Sequence, residues 1–127
     1  MSSHTILVID DSPDIRQIAK LFLHSFGYEV LEAENGTAGI QTAVTEKPAL
    51  ILLDFLMPDI NGLEVARALQ KLPQTADIPI IGWTSDTTSK PSKEELQQAG
   101  FIAWLEKPIS FIALAALVAR FVPRPEL

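Results

Sequence analysis

Residues 5–9 and 49–53 are short, nearly unbroken apolar runs rich in Ile, Leu and Val, and each leads directly into an aspartate. A strand open to water on one face alternates apolar with polar side chains. An unbroken run of this length therefore fits a strand covered on both faces, as a parallel sheet requires. Stretches 28–33, 78–83 and 101–105 complete a set of five expected strands. Between them the apolar spacing changes to three and four residues, first at Ile15, Ile18, Ala19, Phe22 and Phe26, which predicts a helix. Its limits are marked chemically: Ser12 suits the N-cap, Pro13 the first helical position where no N–H is needed, and Gly27 a left-handed close. Further helices are expected at about 37–46, 62–72, 92–99 and 109–121.

Strands and helices thus alternate five times with short connections. Right-handed crossovers then place helices on both faces of one parallel sheet, a doubly wound α/β domain. The length of 127 residues allows one such core, so residues 1–127 are expected to form a single domain with its core at about 5–121 and a short tail at 122–127. No internal repeat or low-complexity tract interrupts it. In this architecture ligands bind beyond the carboxyl ends of the strands, where the strand order reverses.

The residues at those ends are Asp10 and Asp11 after the first strand, Asp54 after the third, Thr84 closing the fourth, and Lys107 after the fifth. Each alone has an ordinary explanation. Asp10 and Asp11 suit the start of a turn, Asp54 a loop, Thr84 a local cap, and Lys107 a solvated position before Pro108. Together they place polar groups of the appropriate type at four strand ends that should meet. Three neighbouring carboxylates repel one another unless a cation enters, and an all-oxygen donor set suits Mg²⁺. A hydroxyl and an ammonium across the pocket suit the remaining oxygens of a phosphoryl group, leaving Asp54 as a nucleophile.

Composition narrows the field. The chain has no cysteine and only two histidines, His4 and His24, which excludes disulfides and thiolate metal sites and leaves oxygen ligands for any metal. A net charge of -6 argues against direct nucleic-acid binding, which depends on clustered Lys and Arg. No apolar run has the length of a membrane span and no basic leader precedes one, so the protein is expected in the cytoplasm and away from the membrane.

On four segments, Ile9-Asp10-Asp11-Ser12, Asp54-Phe55-Leu56-Met57-Pro58-Asp59-Ile60-Asn61-Gly62, Thr84-Ser85 and Lys107-Pro108-Ile109, the sequence closely resembles the response-regulator receiver family of bacterial two-component systems. The resemblance spans about 5–121. It implies a flavodoxin-like sheet in the order 2-1-3-4-5 with five helices, and a signalling switch that is not a stand-alone metabolic enzyme. It implies that Asp54 takes a phosphoryl group from the phosphohistidine of a sensor histidine kinase or phosphotransfer protein. Mg²⁺ would be held by Asp11, Asp54 and the Leu56 backbone carbonyl, with Asp10 acting largely through water. Thr84, the Ser85 amide and Lys107 would contact the phosphoryl oxygens, and Gly62 would open the next helix. A cis peptide is expected between Lys107 and Pro108. Trp104, three residues before Lys107, occupies the place of the switch aromatic, usually Tyr or Phe, while Trp83 reads as core. Leu56 stands where a polar residue is common, and 86–93 is unlike the usual start of a fourth helix, which is expected late or irregular.

The last helix adds a surface. No charge occurs from Pro108 to Ala119. If Phe111, Leu114, Ala115, Val118 and Val122 face the sheet, then Ala113, Ala116, Leu117 and Arg120 point outward with Ile112 on the flank. Such a face suits a downstream effector protein or a homodimer through this helix. The stretch after Lys107 is long enough for little beyond that helix, so the effector is expected to be another protein or the remainder of a longer one. Two alternatives carry different chemistry. A receiver-like module that works without phosphorylation would not need the intact pocket. A phosphohydrolase of the haloacid dehalogenase type would need a second aspartate at position 56, where Leu stands.

Overall fold

The structure, a computed structural model, describes residues 4–55, 57–84, 91–106 and 110–125. Its elements run β1 (Thr5–Ile9), α1 (Pro13–Ser25), β2 (Glu29–Ala33), α2 (Gly36–Glu46), β3 (Leu50–Asp54), α3 (Gly62–Lys71), β4 (Ile80–Thr84), α4 (Lys93–Gln98), β5 (Phe101–Glu106) and α5 (Phe111–Phe121). The five strands form one parallel sheet in the order β2-β1-β3-β4-β5, as the family resemblance implied. The order reverses between β1 and β3, which puts the carboxyl ends of those two strands side by side.

The unbroken apolar runs have their cause in the two faces. In β1 and β3, Leu7, Ile9, Ile51 and Leu53 pack into one core with Ala43 of α2, Val65 and Leu69 of α3, and Leu96 of α4. Ile6, Val8, Leu50 and Leu52 point the other way and meet Ala19 and Leu23 of α1 and Leu114 and Val118 of α5. Successive strand residues alternate faces, and here both faces are buried.

Local chemistry sets the boundaries. Ser12 caps α1 by accepting from Ile15 N, Pro13 is its first residue, and Gly27 follows its C-cap with φ +95°. β4 begins two residues later than expected because the Ile78 amide is spent on a turn, donating to Thr75 O at 3.1 Å, and Pro79 has no N–H. α4 is shorter than its expected 92–99. Ser92 and Glu95 form a capping box at its start, and Gly100, with φ +101°, follows its end. Ile18 departs from the expected core stripe of α1, where Ala19 and Leu23 are buried and Ile18 is 46% exposed. Trp83 is fully buried, as expected of a core residue.

On α5, Leu114, Val118 and Val122 face inward as expected, Ile112 is 81% exposed, and Ala113, Ala116 and Arg120 are exposed. Leu117 corrects the expectation of an outward side chain. It is half-buried against the α1 and α5 core, because it lies one residue from Val118 and three from Leu114, on the flank of the buried stripe. The apolar surface of α5 also turns further toward α1 than its spacing suggested. A groove of about 250 Å³ lies between the two helices, lined by Phe22, Phe26, Ile112, Ala115, Ala116, Ala119 and Arg124.

Among the described residues, no helix is long and apolar enough to cross a membrane.

Candidate functional site

Asp10 follows β1 directly and remains attached to the sheet, its amide donating to Ala33 O at 3.1 Å. The residue is buried, one carboxylate oxygen accepts from Ser12 N at 2.9 Å, and its carbonyl accepts from Arg16 Nη1 at 2.6 Å. Arg16 is held in turn by Glu32, at 3.3 Å, and Glu32 also lies 3.6 Å from Lys20. Asp54 is the last residue of β3, in register with Trp83 of β4, and is only 4% exposed. Asp11 begins the turn into α1 and is exposed. The fold brings the three carboxylates together: one oxygen from each of Asp10, Asp11 and Asp54 lies within 4.8 Å of the others.

Two buried carboxylates and one at the solvent edge form a concentrated negative site. Bringing these charges together is unfavourable without a counter-charge. The donors are all hard oxygens, two of them carried by residues anchored to neighbouring strands. Opposite ligands of an octahedral Mg²⁺ lie about 4.2 Å apart, twice a bond of ~2.1 Å. The three oxygens lie within 4.8 Å of one another, a range that leaves room for a water between an ion and one of them, and the all-oxygen chemistry of the donor set fits magnesium.

The chain beyond Asp54 is anchored at several points. Phe55 N donates to Trp83 O at 3.2 Å, and Phe55 O accepts from Gly62 N at 2.9 Å. Asn61 caps α3 by accepting from Glu64 N at 2.9 Å. Asp59 reaches across to α2: one oxygen accepts from Gly36 N at 3.0 Å, and the other from both the amide and the hydroxyl of Thr37 at 2.9 Å. The Thr37 and Gly36 amides hold the Asp59 carboxyl well below the usual carboxylate range.

Asp59 and Arg16 were not singled out by sequence reasoning. The partners of Asp59 lie 22 and 23 residues earlier, and the target of Arg16 is a main-chain oxygen, so no local residue pattern points to either bond. Of the other expected site residues, Thr84 ends β4 opposite Glu106 in register. Trp104 is half-buried on β5, opposite Gly82 and packed against the core shared with α2, α3 and α4. Leu56, Ser85, Lys107 and Pro108, and with them the expected cis peptide and the start of the segment before α4, lie outside the described residues.

Residues 6–119 match the response regulator receiver domain, and the chain belongs to that family. It is 39% identical over 110 residues to the phosphate regulon transcriptional regulatory protein PhoB of Pseudomonas aeruginosa, a match covering 87% of this chain and 48% of PhoB. The chain thus spans about half the length of that relative. Among solved structures, the chemotaxis protein CheY4 of Vibrio cholerae superposes with a TM-score of 0.85 at 31% identity, covering 95% of this chain and 98% of that one. The receiver domain of a sensor histidine kinase from Pseudomonas aeruginosa PAO1 superposes with a TM-score of 0.83 at 25% identity, covering 94% of this chain and 97% of that one. That structure carries a magnesium ion coordinated in its active-site cleft. Receiver domains are signalling modules, which sets the phosphohydrolase alternative aside.

Proposed function

We propose that this receiver domain is a phosphorylation-operated switch in which Asp54 accepts a phosphoryl group from the phosphohistidine of a sensor histidine kinase or phosphotransfer protein in the cytoplasm. The observation that carries the reading is the convergence of the Asp10, Asp11 and Asp54 carboxylates at the point where strand order reverses. An Asp54 oxygen attacks phosphorus, the phosphorus–nitrogen bond to the donor imidazole breaks, and that imidazole leaves with the bonding pair and takes up a proton. Asp11, Asp54 and the Leu56 carbonyl are the proposed Mg²⁺ ligands, with Asp10 acting through water. The ion supplies positive charge that offsets the carboxylates and the incoming phosphoryl oxygens.

Phosphorylation adds roughly -1.5 to -2 charges and three strong acceptors at Asp54. Family resemblance assigns those oxygens to Thr84, the Ser85 amide and Lys107, and makes Trp104 the side chain that repacks when Thr84 is drawn in. A half-buried indole at a glycine-paired position on β5 is compatible with such repacking. The output is a changed protein contact, with a downstream effector or a second copy, at the exposed α5 face around Ile112, Ala113, Ala116 and Arg120, with Leu117 at its half-buried margin.

Incubation with acetyl phosphate and Mg²⁺, followed by intact mass spectrometry, tests the switch. One phosphoryl group is expected on the wild-type chain and none on Asp54→Asn. Equal labelling of both proteins excludes Asp54 as acceptor, and no labelling of either supports the phosphorylation-independent module instead.

A further inference from the structure

We propose that Arg16 is a positioning residue for the acidic site: its guanidinium fixes the peptide that joins Asp10 to Asp11, and so sets where those two carboxylates start. The inference rests on the magnesium reading above.

Asp10 and Asp11 are consecutive, so a single peptide links two of the three carboxylates. A peptide is planar, and in the trans form its C=O and N–H point opposite ways. Whatever fixes the direction of the Asp10 carbonyl therefore also aims the Asp11 amide. That carbonyl lies just beyond β1, and Arg16 Nη1 donates to it at 2.6 Å. A bond from an ionised donor is stronger than one from a neutral amide. The Asp10 amide is already tied to Ala33 O of β2, and one of its carboxylate oxygens accepts from Ser12 N. The Arg16 bond secures the remaining side of the residue. Asp11 gains most from it, because Asp10 is buried at the end of the sheet whereas Asp11 stands exposed and depends more on its main chain for placement.

Arg16 is itself held. Its amide donates to Ser12 O at 3.1 Å, its side chain is only 14% exposed, and its Nε meets Glu32 at 3.3 Å. Glu32 stands on β2 opposite Val8 of β1. The guanidinium is a rigid plane in which Nε and Nη1 keep a fixed spacing, so anchoring Nε on β2 aims Nη1 at the Asp10 carbonyl. A lysine ammonium, one nitrogen on a flexible stem, cannot fill both donor positions. Charge alone argues the opposite way. A cation beside a cation site is repelled, so an arginine acting only through its charge would weaken Mg²⁺ binding, and its removal would strengthen it. Positioning predicts the reverse sign, because a site whose ligands must meet octahedral angles loses affinity when a ligand's main chain is free to move.

The test compares wild type with Arg16→Ala, Arg16→Lys and Lys20→Ala at a temperature where all four are folded. Mg²⁺ affinity is measured calorimetrically without phosphodonor, and the order parameter of the Asp11 amide by nitrogen relaxation in the metal-free proteins. Arg16→Ala should weaken Mg²⁺ binding by roughly tenfold, as expected on losing support behind a ligand, and should lower the order parameter of Asp11. Arg16→Lys, which keeps the charge and guards against a fold lost in the alanine variant, should also bind Mg²⁺ more weakly than wild type. Lys20, the next cation along α1, pairs with Glu32 rather than with Asp10. Lys20→Ala should therefore leave Asp11 as ordered as in wild type and should not weaken the metal. Wild-type or tighter Mg²⁺ binding in Arg16→Lys overturns the inference, and so does an Asp11 amide as ordered in Arg16→Ala as in wild type. Failure of the wild-type protein itself to bind Mg²⁺ overturns the magnesium reading and the inference together.

Discussion

A Cβ placed on Gly62 would sit 2.6 Å from the backbone oxygen of Asp54 and 2.9 Å from Phe55 Cα, so the first turn of α3 presses directly on the main chain of the proposed phosphoacceptor. These obstacles are backbone atoms, which cannot rotate away as a side chain can. Gly62→Ala should therefore force Asp54 and α3 apart, destabilising the fold by about 1–3 kcal/mol, the range for an overpacked site. It should also slow labelling by acetyl phosphate. Urea unfolding and timed mass spectrometry would measure both effects. Wild-type stability together with a wild-type labelling rate would show that the contact relaxes without moving Asp54.

The order of elements and the acidic cluster were legible because they are written locally. Runs such as Leu50–Asp54 carry their burial on both faces in their composition, and Ser12, Pro13 and Gly27 mark helix limits within a few residues. The convergence of Asp10 with Asp54 follows from their places at the carboxyl ends of two strands that the sheet sets side by side, an order that the family resemblance implied. What escaped was tertiary. The Asp59 bond to α2 and the Arg16 bond to the Asp10 carbonyl depend on elements far apart in sequence. The half-buried setting of Leu117 depends on a small rotation of α5 that helical spacing does not resolve. Ile18 shows the same limit on α1, where a side chain at core-like spacing is 46% exposed.

Asp59 also gives the fold an acid-sensitive link. Its carboxyl is held below the ordinary value of about 3.9 by amides at the start of α2, so the native state favours the charged form. A group depressed in this way contributes stability that is fully present above the unfolded-state value. That contribution is lost as pH falls from there toward the folded-state value. The thermal midpoint of Asp59→Asn should lie below that of wild type near neutrality, and the gap should close as pH drops below about 4. Because the carboxylate is exposed, added salt should narrow the gap at neutral pH as well. Paired melts across pH would check this, and a constant gap would mean that the Asp59 charge does not matter.

Leu56 bears on the lifetime of the phosphorylated state. An aliphatic side chain two residues after the acceptor has no donor or acceptor with which to orient an attacking water. Leu56→Asn should hydrolyse its aspartyl phosphate faster than wild type. The gain should stay below the about 10²-fold at the lower end of full general-base catalysis, since an amide positions water without taking its proton. Decay of the phosphorylated mass after removal of the phosphodonor gives the rate directly. An unchanged rate would place control of hydrolysis elsewhere, with Asp86, a carboxylate two residues after Thr84, the next residue to substitute.

The exposed face of α5 can be tested without disturbing the core, because the structure separates the residues that support the helix from those that leave its surface apolar. Leu117 is half-buried, so a charge there would confuse a lost contact with a damaged fold. Ile112, at 81% exposure, and Ala116, also exposed, accept glutamate without entering the sheet, and both line the groove between α1 and α5. A helix with no charge from its N-cap Ser110 to Ala119, and with a large aliphatic side chain in water, presents an apolar patch of the kind that another protein surface covers. Light scattering with and without beryllofluoride, together with partner capture, should be run on wild type and on Ile112→Glu, Ala116→Glu. Activation should raise the molar mass or recruit a partner in wild type, and the double substitution should abolish that response while leaving acetyl phosphate labelling of Asp54 unchanged. If the substituted protein associates as wild type does, the α5 face is not the output surface, and Ile112 is an isolated exposed side chain on a helix whose alanines serve only its helical propensity.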